Sequence, residues 1–169
     1  IFDIPVKEGA SLNLTNSSGS FDRNPAWSPD GRYLAYWSDR SGEYQIYLRS
    51  LDGKGGEKAL TKRTKGYGYR LYWSPDSKNL AFIDETSTSW IVKVDNGETI
   101  KVGHNQTAIG HGGLQGYPMS WSPDSRWLAF TENLANTHDA IFVFDLKANA
   151  KRQGTSGFYQ DFGPVFSRC

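Results

Sequence analysis

Three aspartates recur in identical surroundings, with Asp30, Asp76 and Asp124 each closing a Trp-Ser-Pro-Asp run. Carboxylates in such numbers invite an acid–base pair or a calcium site. Three copies of one tetrapeptide point elsewhere. Proline presets φ at the second position of a turn and Asp bonds its own backbone, so these side chains are expected to close turns. His104, His111 and His138 follow no ligand spacing such as His-Glu-x-x-His, and neither a metal nor another cofactor is expected. The sequence contains no Gly-x-Ser-x-Gly elbow and no phosphate-cradling glycine pattern. Cys169, the single cysteine, has no evident histidine partner. No catalytic residue is assigned.

Binding chemistry is better represented. Arg23, Arg63, Tyr67, Tyr69, Arg70, His111 and Tyr117 fall in the stretches 16–24, 62–70 and 103–117, which join one repeat to the next. Arginine forks grip carboxylates and tyrosines add stacking area, so these residues are the candidates for holding a peptide substrate or a protein partner. Glycines 103, 110, 112, 113 and 116 make the third of these loops pliable. Lys58, Lys62, Arg63, Lys65 and Arg70, interleaved with Tyr67, Tyr69 and Tyr72, also resemble a nucleic-acid surface. With 19 Lys+Arg against 18 Asp+Glu the chain carries a net charge of only +1, and a nucleic-acid partner is not expected.

Such loops act only where a scaffold puts them. The 169 residues are 37% hydrophobic and 14% aromatic, with 18 glycines, 7 prolines and one methionine. That mix suits aromatic and β-branched strands broken by Gly/Pro turns, and it excludes helix bundles. The length is that of one ordinary domain, and no apolar run approaches the roughly 20 residues of a membrane span. Periodicity decides the fold. Trp27-Ser28-Pro29-Asp30-Gly31-Arg32-Tyr33-Leu34-Ala35-Tyr36 returns as Trp73-Ser74-Pro75-Asp76-Ser77-Lys78-Asn79-Leu80-Ala81-Phe82 and as Trp121-Ser122-Pro123-Asp124-Ser125-Arg126-Trp127-Leu128-Ala129-Phe130, at spacings of 46 and 48 residues. Each copy reads as strand, turn, strand. A third strand is expected over 44–49, 89–94 and 140–145, and a short fourth ends near Thr61, Ile100 and Arg152. Four short strands per period of about 40–50 residues make a β-propeller blade.

The predicted fold is therefore all-β, an incomplete propeller of about three and a half four-stranded antiparallel blades. Ile1-Phe2-Asp3-Ile4 aligns with Ile46-Tyr47-Leu48-Arg49, and Asn13-Leu14-Thr15 with Ala59-Leu60-Thr61. Residues 1–15 thus end one blade, 16–61, 62–102 and 103–154 form three more, and 155–169 hold the first strand of another. A fourth copy of the motif starts at Gly163-Pro164-Val165-Phe166-Ser167 and breaks at Arg168-Cys169. Blades are stabilised by their neighbours. Further blades of a parent chain are therefore expected partners, and exposed strand edges favour a homo-oligomer. The alternative is a closed four-blade ring in which 163–167 lies beside 1–4 and 12–14.

The Trp-Ser-Pro-Asp-Gly repeats, the Leu-Ala-aromatic strand and the trailing Leu-Thr resemble the propellers of TolB-type periplasmic proteins and of tricorn-type proteases, over essentially the whole chain. Ile1-Phe2-Asp3-Ile4-Pro5-Val6, Arg23-Asn24-Pro25-Ala26-Trp27 and Ser38-Asp39-Arg40-Ser41-Gly42-Glu43-Tyr44 are more similar to the tricorn type. That resemblance implies a parent serine peptidase acting on oligopeptides, whose propellers filter or channel peptides. Its catalytic domain would be a further partner, and this chain is expected to be non-catalytic. A TolB-like propeller binding proteins in the cell envelope is the alternative. The propeller of a prolyl-oligopeptidase-like enzyme is the second. Cytoplasmic and periplasmic placement in a prokaryote fit equally.

Overall fold

The computed structural model describes residues 1–5, 8–52, 56–105, 118–135 and 138–167. β1 (Phe2–Asp3) and β2 (Leu12–Asn13) form a two-stranded antiparallel sheet. Three four-stranded antiparallel meanders follow. The first blade comprises β3 (Asp22–Trp27), β4 (Tyr33–Ser38), β5 (Gln45–Ser50) and β6 (Glu57–Ala59). The second comprises β7 (Tyr72–Trp73), β8 (Asn79–Ile83), β9 (Thr88–Lys93) and β10 (Thr99–His104). The third comprises β11 (Ser120–Trp121), β12 (Trp127–Asn133), β13 (Asp139–Asp145) and β14 (Ala150–Gln153). No helix occurs among the described residues. The chain is an incomplete β-propeller of four-stranded blades, as the periodicity predicts.

Strict alternation builds the core, because successive side chains of a strand leave opposite faces. Ala35 and Trp37 of β4 face the second blade, where they meet Leu80 and Phe82 of β8. Ala81 and Ile83 of β8 face the third blade and meet Leu128 and Phe130 of β12. Leu34, Tyr36 and Tyr47 turn the other way and cover Leu14 beside the two-stranded sheet. Ile46 N–H donates to Thr61 Oγ1 at 3.0 Å, and Ile141 N–H to Thr155 Oγ1 at 3.0 Å. The Ile1 amine reaches Thr15 Oγ1 at 2.8 Å in the same relation. β1 and β2 thus repeat the outer half of a blade.

Two further stitches join the blades, each in the same register. Trp73 Nε1 donates to the Ala26 carbonyl at 3.0 Å, and Trp121 Nε1 to the Tyr72 carbonyl at 3.0 Å. Asp30 N–H donates to Ser77 Oγ at 3.1 Å, and Asp76 N–H to Ser125 Oγ at 3.0 Å. Trp27 has no such acceptor among the described residues and stays 50% exposed, against 8% for Trp121. Exposed large apolar side chains gather on the two flanks, with Phe2, Ile4, Leu12, Phe21 and Trp27 on one and Phe158, Tyr159, Phe162 and Val165 on the other.

Three expectations change. A bulge between Lys101 and Gly103 lets β10 run on to His104, past the expected division after residue 102. Residues 163–167 form no strand, since no described strand offers them a ladder; Phe166 N–H bonds instead to Ser120 Oγ at 3.2 Å. Nor do they pair with β1 or β2, so the closed four-blade ring is not formed among the described residues.

Candidate functional site

The turn aspartates are structural. Ser28 Oγ donates to Asp30 Oδ1 at 2.6 Å and the Arg32 N–H to the same oxygen at 3.1 Å. Ser74 and Lys78 treat Asp76 identically at 2.6 and 3.1 Å, and Ser122 and Arg126 do the same for Asp124. The Ser28 hydroxyl and then the Arg32 N–H hold the Asp30 carboxyl down at about 2. A carboxylate committed in this way closes a turn and has no proton to exchange near neutral pH.

Arg23, Tyr67 and Tyr69 come together, joined by Tyr44. Arg23 sits on β3 opposite Trp37 of β4. Its guanidinium lies 4.3 Å from the Tyr44 ring centre and 4.5 Å from that of Tyr67. Tyr67 and Tyr69 stand edge to face with centres 5.4 Å apart and hydroxyls 3.3 Å apart. Burial, then the Tyr67 hydroxyl, pushes the Tyr69 phenol up to about 12. Residue 68 must be glycine, because a Cβ there would lie 2.2 Å from the buried Trp37 ring. Trp37 Nε1 also donates to the Tyr69 carbonyl at 2.8 Å, so a core tryptophan fixes the backbone that presents both tyrosines. Arg23 Nε is buried without a hydrogen-bond partner. No carboxylate among the described residues pairs with the Arg23 guanidinium.

Arg63 lies beside this cluster in a different state. Its Nη2 is 3.3 Å from Asp84 Oδ2 and 3.6 Å from Glu85 Oε2. Asp84 is 3% exposed and also accepts from Trp90 Nε1 at 2.7 Å, Thr86 Oγ1 at 2.6 Å and Thr88 N–H at 3.1 Å. Burial raises the Asp84 carboxyl, yet the hydrogen bonds from Thr86, Trp90 and Thr88 outweigh it and leave it below the ordinary carboxylate value. Glu85 accepts the Tyr67 N–H at 2.9 Å. Arg63 is therefore a positioning residue whose charge is already met.

Arg70 is placed apart, 5.6 Å over the Tyr72 ring and bordering a recess of about 370 Å³ with Asn24, Pro25, Ala26 and Leu71. His111 and Tyr117 lie outside the described residues. His104 Nδ1 meets Thr88 Oγ1 at 3.0 Å and His138 Nδ1 the Gly157 carbonyl at 3.2 Å, and no metal-ligand cluster occurs among the described residues. The basic run also divides, for Lys58 borders a different cleft, with Arg32, Lys78 and Lys93. Sequence reasoning missed Tyr44. It precedes the third strand of its own blade, and in a meander the hairpin joining strands two and three shares an end with the loop between blades.

No family model matches the chain. The uncharacterized peptidase YuxL of Bacillus subtilis is 40% identical over 76 residues, which are 44% of this chain and 11% of that protein. The Tol-Pal system protein TolB of Hydrogenovibrio crunogenus is 61% identical over 31 residues, 18% of this chain and 7% of that protein. The chain thus spans a small part of the curated relatives it matches. Among solved structures, TolB from Acinetobacter baumannii superposes at a TM-score of 0.58 and 22% identity over 81% of this chain and 33% of that one. An oligogalacturonate lyase from Vibrio parahaemolyticus does so at 0.63 and 14% identity over 90% and 46%. These likenesses show the propeller fold. The tricorn protease superposes at 0.48 over 92% of this chain and 19% of that one, which does not separate its type from the others.

Proposed function

We propose that the chain is a non-catalytic recognition segment of a propeller, whose mouth at Arg23 holds a peptide or protein partner by a carboxylate. One observation carries this reading: a guanidinium held between Tyr44 and Tyr67 with no carboxylate partner among the described residues. Stacking on two rings limits the rotamers of Arg23 before a ligand arrives, and a planar fork suits bidentate carboxylate binding. In its narrower form the parent is a tricorn-like serine peptidase and the segment filters or channels peptides. The motifs at 1–6, 23–27 and 38–44 support that form, and the local identity to YuxL supports a peptidase parent. The local identity to TolB favours the second reading, in which the same site grips a protein partner in the cell envelope.

Fluorescent tetrapeptides with free or amidated C-termini test the site. Arg23→Ala is expected to weaken free-carboxylate peptides at least about tenfold, as loss of a charge-assisted bidentate pair does, and to leave amidated ones unchanged. Arg23→Lys should fare little better, since an ammonium neither stacks flat nor forks. Undiminished binding by Arg23→Ala would remove the site. Turnover of fluorogenic peptides by the chain is expected to be absent; activity that survives repurification would overturn the non-catalytic reading.

A further inference from the structure

A second cation site lies in the opening between the first two blades, and the repeat supplies its control. In the third blade, Arg126 follows the turn and grips Asp145 at the end of β13, with Nη2–Oδ2 at 2.6 Å and Nε–Oδ1 at 3.1 Å. Asp145 stands across from Trp127, as Lys93 stands across from Asn79 in the second blade. The second blade therefore has Lys78 and Lys93 where the third has an arginine–aspartate pair. Lys93 is met by Glu98 at 2.9 Å, while Lys78 has no ion-pair partner among the described residues.

The first blade adds to the imbalance. Lys58 stands across from Leu48 and is also without an ion pair among the described residues, whereas Ile100 holds the same register across from Ile91 in the second blade. Lys58, Lys78, Lys93 and Arg32 line one cleft of about 600 Å³, in which Arg32 is paired with Asp30 at 2.8 Å and Asp95 is the acidic lining residue, so Lys58 and Lys78 carry the unmet charge. Tyr33, Leu48 and Val94 supply apolar wall. Like charges around one opening repel, and ammonium groups facing an apolar wall gain most from an anion that also carries aliphatic stems.

We propose that this cleft binds an acidic peptide segment presenting at least two carboxylates. A peptide suits it better than a nucleic acid. Tyr33, its one aromatic ring, already lies under Arg32 at 5.6 Å and leaves no free face pair for stacked bases. Separate ammonium points on flexible stems also match spaced Asp and Glu side chains. The site is independent of the Arg23 mouth and shares no lining residue with it.

Fluorescein-labelled octaglutamate, followed by anisotropy at about 50 mM salt, provides the test. The wild-type chain is expected to bind saturably and to weaken steeply as salt rises. The double variant Lys58→Glu with Lys78→Glu should bind at least about tenfold more weakly, and Asp95→Asn about twofold more tightly, as close charges dictate. Lys101→Glu, on the exposed face of β10, should leave octaglutamate binding unchanged, which ties the binding to the cleft rather than to net charge. Thermal melts report whether each variant is folded. Wild-type affinity in the double variant, an equal loss in Lys101→Glu, or octathymidylate binding as tight as octaglutamate would each overturn the proposal.

Discussion

The opening between the first and second blades and the one between the second and third share their stitches and differ in almost everything else. Both are closed by a tryptophan N–H on a backbone carbonyl at 3.0 Å and by a backbone N–H on a serine hydroxyl at 3.0–3.1 Å. Between those stitches the first seam packs Trp37 edge-on to Phe82 across the blades, with centres 5.1 Å apart, whereas in the second Phe130 stacks on its own cross-strand neighbour Phe142 and the second blade contributes Ala81, Ile83 and Ile91. Their rims diverge further. The first seam carries the Arg63–Asp84 pair at one end and a lysine cleft at the other, while the third blade answers that cleft's position with Arg126–Asp145. The repeat therefore secures the stacking and leaves the rims free to specialise.

The largest expected effect tests the filling of the two seams. Trp37→Ala should destabilise the chain by about 4 kcal/mol, from a large cavity and a lost N–H bond to Tyr69. Ile83→Ala, in the same register facing the second seam, should cost about 2–3 kcal/mol. Urea titration measures both. A larger loss at Ile83 would mean that the second seam, not the first, anchors the stack.

Asp84 sharpens the contrast between rims. Asp84→Asn removes one half of a buried ion pair and should cost about 3 kcal/mol. The folded carboxyl titrates below its ordinary value of 3.8, so its contribution is complete above that pH and is lost as pH falls through the folded value. The wild-type chain should therefore lose stability below about pH 4, and Asp84→Asn should flatten that fall. Acid-dependent melts that leave the two curves parallel would show that Asp84 does not govern the rim.

The stitches should behave alike. Trp73→Phe and Trp121→Phe each strip an N–H donor from a backbone carbonyl and should cost about 1–2 kcal/mol, with smaller packing losses included. Trp27→Phe should be close to neutral, since Trp27 is half exposed and donates to no described carbonyl. A loss at Trp27 as large as at Trp73 would break the assignment of the indole N–H as the inter-blade bond.

Much of this was readable from residue order, for a definite reason. Turn chemistry and alternation are local, so Trp-Ser-Pro-Asp and Leu-Ala-aromatic located the strands around Trp27, Trp73 and Trp121 to within a residue or two. The end of β10 was not legible, because a bulge at Lys101–Gly103 extends a ladder without altering its composition. The difference between Arg23 and Arg63 was equally hidden. Both fall in stretches that join one repeat to the next, and only the fold sets Arg23 on β3 between two tyrosine rings and brings Asp84 to Arg63. Trp37 occupies a position held by Ile83 and Thr131 in the other copies, and its role emerges once the second blade lays Gly68 across its ring.

The smallest effect is the most discriminating, because two small terms oppose each other in one residue. The position after each turn aspartate has positive φ, 72° at Gly31 and 60° at both Ser77 and Ser125. Glycine is the natural occupant of that conformation, and a side chain there costs about 1 kcal/mol. Serine is retained at 77 and 125, where its hydroxyl accepts the Asp30 or Asp76 N–H of the preceding blade. Glycine stands at 31, where no preceding turn among the described residues would use a hydroxyl. Ser77→Gly should exchange the bond for relief of strain and come out within about 0.5 kcal/mol of wild type. Ser77→Ala keeps the strain, loses the bond and should be about 1 kcal/mol less stable. If alanine proves as stable as glycine at 77, the hydroxyl is idle and the blades are held by tryptophan and packing alone.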